Sequence, residues 1–520
     1  MLRAACAAPE PIPDTARLAR VASGTGGWDD TIASGESAVG TTVFERRRPS
    51  ASVVEHSLAA TEQRVFWLDD LADEAKRGRP ALTGERVADL AIVGGGYTGL
   101  WTAVLEKRRN PDAHVVLVEA KTIGWAASGR NGGFCEASLT HGRENGLARW
   151  PEELETLDRL GMENLDAIEA SESDYGMDFE FERNGSLSLA VEPHQVEWLH
   201  EQVADAAARG DDSVRFLDEA DVRAEVDSPT YLSAVWETRT SALLHPAKLA
   251  AELARVAEEL GVEIYEQSRA RRIETPGSTG AVTLLAEGGR VIAQRAVLAT
   301  NVFPSLLKRN RLMTVPVYDY ALMTEPLSDE QLRAIGWSHR QGLGDLANQF
   351  HYYRLSRDNR ILFGGYDAVY HYGRRVRAGY ERRPESFERL ASHFFTTFPQ
   401  LEGLRFTHQW AGAIDTSTRF CAFFGTARDG RVAYASGFTG LGVAATRFAA
   451  EVMLDRLERR DNERTRLRMV RERPLPFPPE PAAAIGINAT RWSLDRADHE
   501  QGRRNMLLKT LDALGLGFDS

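Results

Sequence analysis

Three glycines, Gly94, Gly96 and Gly99, carry the first chemical signal in this chain. The spacing Gly-x-Gly-x-x-Gly suits a nucleotide pyrophosphate: one glycine makes the turn, one lets backbone approach the phosphates, and one lets a helix pack on a strand. Tyr97 and Thr98 fall inside the motif, where a helix N-terminus supplies N–H donors and the positive end of its dipole. Glu119 stands 20 residues beyond Gly99 and is followed by Ala120, at a place where a carboxylate accepts hydrogen bonds from ribose hydroxyls. The next segment, Gly124 to Gly133, contributes Ser128, Gly129, Arg130, Asn131, Gly132 and Gly133, a loop with many backbone donors. These residues define a nucleotide site. The glycine pattern alone leaves FAD and NAD both open.

The elements around these residues must hold them. Val87 to Val93 is a short apolar run that ends in three glycines, and Leu100, Ala103 and Val104 then follow at helical spacing. Asn110-Pro111-Asp112 stops that helix, and His114 to Glu119 reads as a second buried strand. The result is a βαβ unit of about 30 residues with a parallel sheet. Residues 151 to about 235 alternate helix, as at 151–171, with half-polar strand, as at 185–191. Pro246 to Leu260 is patterned as a helix, followed by strands at 262–265 and 295–300. From Leu312 to about Gln400 the pattern turns to hairpins, notably at 350–355 and 360–363, with a helix at 384–398. A last strand, 432–435, runs into a glycine-rich turn and a helix at 443–459.

The expected fold class is α/β plus β, a Rossmann-type nucleotide domain interleaved with an antiparallel-sheet substrate domain. The expected boundaries are a disordered extension over 1–55, nucleotide-domain parts at 56–150, 237–310 and 405–460, and substrate-domain parts at 151–236 and 311–404. Residues 461–520 read as a Pro-rich segment and a helix beginning near Thr490. The sequence 1–55 shows neither strand nor helix periodicity, and a misassigned upstream start is one explanation of it.

The order GGGYTGL, VVLVEA and ASGRNGG resembles the D-amino-acid-oxidase and glycine-oxidase superfamily of FAD enzymes, most closely the gamma-glutamylputrescine oxidoreductase branch. Further matches are LHPAKL at 244–249, VLATN at 297–301, TEPL at 324–327, RILFGG at 360–365 and WAGAIDT at 410–416. Together they span about residues 66 to 460. The resemblance implies FAD, with Thr300 and the late turn Gly437, Thr439, Gly440, Leu441 and Gly442 joining the cofactor-binding residues. It implies non-covalent FAD, because the family's attachment points fall near Gly412 and the Trp125 loop, where this chain has neither Cys nor His.

The implied reaction is oxidation of a C–N bond, with hydride passing to flavin N5 and the imine hydrolysing to a carbonyl product. Gamma-glutamylputrescine is the substrate suggested by the resemblance. Arg354 matches in position the arginine that holds the substrate carboxylate in glycine oxidase, and Tyr352 and Tyr353 beside it are further substrate-orienting candidates. The lysine that assists oxygen in sarcosine-oxidase relatives falls near Leu362 here, which leaves oxygen or another acceptor open. Two alternatives stand beside this reading. One is a flavin dehydrogenase of a small N-methyl amino acid or aminophosphonate with a non-oxygen acceptor, and the other is an FAD-binding regulator without turnover.

Composition bounds the partners. A net charge of −12 over 520 residues, from 63 basic and 75 acidic side chains, argues against nucleic acid. The three cysteines, Cys6, Cys135 and Cys421, show no metal-site or disulfide spacing, so no metal is expected. Without a signal peptide or an apolar run of roughly 20 residues, the expected location is the cytoplasm.

Overall fold

The strand Gly84–Val93 organises the nucleotide half of the protein. In this computed structural model, which describes residues 40–275 and 280–517, it pairs in parallel with Val115–Val118 on one side and Gly289–Leu298 on the other. Glu263–Tyr265 extends the sheet in parallel beyond Val115–Val118, and Val432–Ser436 joins Gly289–Leu298 in parallel. Ala270–Glu274 and Val282–Ala286 add antiparallel strands at one edge. Leu90 and Ile92 enter one apolar cluster while Ala91 and Val93 enter another. Burial on both faces explains why this strand reads as a continuous apolar run instead of an alternating one.

Four long helices feed the first of those clusters: Tyr97–Arg109, Leu154–Tyr175, Pro246–Glu259 and Gly442–Leu457. Pro246 opens its helix in the first turn, where the missing N–H costs nothing, and His245 Nδ1 caps it by accepting from Lys248 N–H at 3.1 Å. His245 also lies edge-on to Trp67. This histidine therefore holds structure.

The second sheet has ten strands among the described residues. Its centre is antiparallel, with Thr314–Thr324 between Phe406–Ser417 and Ile361–Gly365, and His351–Leu355 beyond the latter. Two parallel pairings make it mixed: Gly342–Asp345 with Ser186–Ala190, and Glu62–Gln63 with Phe406–Ser417. The helix Pro384–Thr397 packs on one face through Phe387, Leu390 and Phe394. The opposite face looks toward the nucleotide half.

Three expected boundaries differ. The strand Phe406–Ser417, expected with the third nucleotide part, pairs along Thr314–Thr324 and belongs to the second sheet. Of the extension expected to be disordered, residues 1–39 lie outside the described residues, but Val43–Arg46 and Ala51–Leu58 are helices. Val43 and Phe44 are buried, and Phe44 stacks on His393 at 4.5 Å. Two short helices give too few turns for a periodic pattern, so sequence periodicity missed them. The tail helix also begins earlier than expected, at Ala482, and ends at His499.

Candidate active site

The Gly94–Gly99 turn is built for close approach. Gly94 has φ +114°, and a Cβ there would lie 2.3 Å from the Ala299 carbonyl oxygen. A Cβ on Gly99 would lie 1.9 Å from the Gly94 oxygen, so only glycine lets the helix seat on the strand. Tyr97, Thr98 and Gly99 form the first helical turn, whose N–H groups have no intrahelical acceptor. Tyr97 N–H donates to Ser128 Oγ at 3.0 Å, which ties the loop to the helix start.

Glu119 is buried at the end of its strand. Its carboxylate accepts from Gly95 N–H at 2.7 Å, Lys121 N–H at 2.8 Å and the Trp125 indole at 2.9 Å. A carboxylate offers about four acceptor sites, so one remains for a ligand hydroxyl.

The loop after it is braced at both ends. Asn131 donates to the Ala127 and Ser128 carbonyls and accepts from Gly133 N–H at 2.8 Å, while its own carbonyl accepts from the Trp67 indole. Arg130 pairs with Glu381 at 2.7 Å, and its carbonyl accepts from Trp410 Nε1 at 2.8 Å. The loop is thereby fastened to the second sheet.

The late turn is pinned by Asp415. Its carboxylate accepts from Gly437 N–H, and its carbonyl accepts from Thr439 N–H at 3.0 Å. Burial pushes the Asp415 carboxyl up to about 6. Thr439, Gly440, Leu441 and Gly442 then lead into a helix whose N-terminus opens on the same cavity.

That cavity has a volume of about 1400 Å³, beyond the roughly 300–1,000 Å³ of a single-ligand pocket. It has room for a dinucleotide and a substrate. Gly94, Gly96, Tyr97, Thr98, Glu119, Ala120, Ser128, Arg130, Asn131, Gly132, Thr300 and Thr439 to Gly442 all line it. Gly99, Gly129, Gly133 and Gly437 do not; they shape the turns behind the lining residues.

The second sheet roofs the cavity with every other residue of Thr314–Thr324: Val315, Val317, Asp319 and Ala321. Tyr352 reaches over Gly364, its register partner, and donates to Asp319 Oδ2 at 2.5 Å. Burial pushes the Asp319 carboxyl up to about 6, against the lowering effect of the Tyr352 hydroxyl. Glu136 lines the cavity as well, pushed up to about 7 by burial while accepting from Ser241 Oγ at 2.7 Å.

Of the three substrate-orienting candidates, the structure brings only Tyr352 to the cavity. Tyr353 points to the other face of the sheet, hydrogen-bonded to Tyr231 at 2.8 Å. Arg354 is buried below the cavity wall, donating to the carbonyls of Leu244 at 2.6 Å and Leu355 at 3.1 Å. Burial pulls its guanidinium down to about 10. Cys135 is buried in the strand Phe134–Glu136 and does not line the cavity.

Sequence reasoning missed Asp319, Glu136, His141, Asp415 and Arg491, all of which line the cavity. Asp319 had a signal in strand alternation with Val315 and Val317; His141, in a loop, had none.

The family model for FAD dependent oxidoreductases matches residues 89–456. This chain belongs to that family. The gamma-glutamylputrescine oxidoreductase of Escherichia coli K12 is 31% identical over 385 residues, covering 72% of this chain and 84% of that one. The fold is shared with glycine oxidase from Geobacillus kaustophilus, with a TM-score of 0.60 at 20% identity over 73% of this chain and 96% of that one. It is shared as well with an L-amino acid deaminase from Proteus vulgaris, with a TM-score of 0.60 at 17% identity over 74% and 97%.

As a member of this family the protein is an FAD-dependent oxidoreductase acting on amines or amino acids. The residues fit the cofactor. The glycine cradle at Gly94 to Gly99, which added Cβ atoms would fill, would hold the pyrophosphate, Glu119 has an acceptor that a ribose hydroxyl would use, and two helix N-termini open on one cavity. Among the described residues, no helix is long and apolar enough to cross a membrane.

Proposed function

We propose that the protein oxidises the terminal C–N bond of an amine that also carries a carboxylate, with gamma-glutamylputrescine as the leading candidate. The observation that carries this reading is the Asp319–Tyr352 pair on the cavity roof. FAD, when bound, supplies the two-electron acceptor.

The chain's own residues orient the amine. Asp319, ionised above about pH 6, accepts an N–H from an incoming ammonium, and Tyr352 holds the Asp319 carboxylate in place. Trp410, Phe134 and Phe350 line the same space and exclude water around the carbon to be oxidised. Once the ammonium has lost a proton to water, the neutral amine expels hydride from that carbon to FAD and becomes an iminium ion, which water hydrolyses to an aldehyde and ammonium. FAD is held without a covalent bond, a reading supported by Gly412 and the Trp125 loop offering no cysteine or histidine. The electron acceptor is oxygen or a carrier, and the site of action is the cytoplasm.

Ammonia release from purified holoprotein incubated with gamma-glutamylputrescine, putrescine, glycine and sarcosine tests the reading. Release with gamma-glutamylputrescine above the others supports it. Release from glycine alone, or methylamine from sarcosine alone, assigns the site to small amino acids instead.

A further inference from the structure

The helix Ala482–His499 lies beyond the part of the chain matched by the family model, yet its residues Ala482, Ala483, Gly486, Thr490 and Arg491 wall the cavity. Arg491 is the cation among them. Its surroundings are unbalanced. Asp367, also on the cavity wall, is already engaged on both oxygens. Oδ2 accepts from Arg383 Nη1 and from Ser386 Oγ, both at 2.6 Å, and Oδ1 accepts from Arg389 Nη1 at 2.9 Å.

Asp495, one turn further along the helix, accepts from Gln349 Nε2 at 3.3 Å. Arg383 and Arg389 therefore already use Asp367, and Arg491, within electrostatic reach of Asp367 and Asp495, makes no ion pair within 4.0 Å among the described residues. A partly buried guanidinium with no anion in direct contact is a cost that a bound carboxylate removes, and its planar fork suits that shape.

The wall carries other cations: Arg271 and Arg272 pair with Glu287 and Glu274, while Arg269 adjoins the strand Ala270–Glu274 and Lys308 and Arg311 lie between Gly289–Leu298 and Thr314–Thr324. Arg130 is spoken for by Glu381, and Arg354, the candidate for carboxylate binding by resemblance, is behind the wall. Asp367 is within electrostatic reach of both Asp319 and Arg491. One cavity thus presents an acid for an amine and, past Asp367, an arginine for an anion.

We propose that Arg491 binds the substrate's carboxylate, so that the tail helix selects amines bearing an anion several bonds from the C–N bond being oxidised. This rests on the amine-oxidising reading above. A diamine without the carboxylate leaves Arg491 uncompensated and binds less well.

Calorimetric titration of the FAD-loaded protein with 4-acetamidobutyrate, a carboxylate with no oxidisable amine, and with neutral N-butylacetamide tests the anion site without turnover. The wild type binds the carboxylate at least tenfold more tightly than the neutral compound. R491Q loses that preference while keeping its flavin and its circular dichroism, and R491K keeps part of it. In turnover, R491Q raises KM for gamma-glutamylputrescine at least tenfold and leaves KM for putrescine within about twofold.

The proposal is overturned if flavin-loaded R491Q prefers the carboxylate as the wild type does, or if the wild type has no preference. If the carboxylate preference depends on Arg491 but no amine is oxidised, the anion site stands and the amine reading falls.

Discussion

Tyr352 and Asp319 meet across an intervening strand because Gly364, between them, has no side chain. A Cβ on Gly364 would lie 2.6 Å from the Tyr352 hydroxyl oxygen, which sits 2.5 Å from Asp319 Oδ2. The aromatic ring thus lies flat along the cavity roof with its hydroxyl spent on one acid. That contact fixes the position of the acid and, against the larger effect of burial, lowers the pH at which it becomes charged.

Burial raises the Asp319 carboxyl to about 6, so it is neutral below that pH and an anion above it. Binding of a cationic amine therefore strengthens as pH rises through about 6. D319N removes this step from the pH profile of kcat/KM and raises KM about ten- to hundredfold, a hydrogen bond to a charged group being worth about 1.5–3 kcal/mol. A D319N profile that keeps the step near pH 6 assigns it to another group, with Glu136 the first candidate.

Gly99 is fixed by the 1.9 Å approach of its absent Cβ to the Gly94 carbonyl oxygen. G99A pushes the helix off the strand at the pyrophosphate turn and costs about 1–3 kcal/mol in packing. The purified variant is expected to lose most of its visible flavin absorbance relative to protein, while its far-ultraviolet circular dichroism stays close to wild type.

Arg354 acts through packing. R354M leaves the Leu244 and Leu355 carbonyls without their guanidinium donor, a loss of about 1–3 kcal/mol for each buried group left unsatisfied. A lower Tm with unchanged KM for the carboxylated amine is expected. A large rise in KM at unchanged Tm would return Arg354 to substrate binding.

His499 links the tail helix to the first helix described, its Nε2 3.2 Å from Glu45 Oε1. The Glu45 hydrogen bond raises the histidine from 6.5 to about 9. Its contribution to stability is complete below about pH 6.5 and is lost as pH rises to about 9. E45Q is expected to lower Tm at pH 6 and to leave it unchanged at pH 10, read by thermal melts at both.

The nucleotide half was legible in the sequence because its elements are local. Gly94, Gly96, Gly99 and Glu119 sit within one βαβ unit, so spacing along the chain maps directly onto geometry. The roof was less legible. Asp319, Tyr352 and Glu136 come from separate strands, and no spacing along the chain states that they share a cavity. Arg354 shows the limit of positional resemblance: it stands on the expected strand, on the same face as Tyr352, but beneath Leu244 and away from the open space. Arg491 was invisible for another reason, since it lies in a tail that carries none of the family's motifs.

In the proposed reaction an amine bound under the Asp319–Tyr352 roof gives up two electrons to FAD held at Gly94–Gly99. The visible spectrum of the purified protein during anaerobic addition of gamma-glutamylputrescine reads this transfer at the flavin itself. The oxidised flavin band is expected to bleach stoichiometrically as an aldehyde is formed. A flavin band unchanged by gamma-glutamylputrescine and by every other amine offered would contradict it.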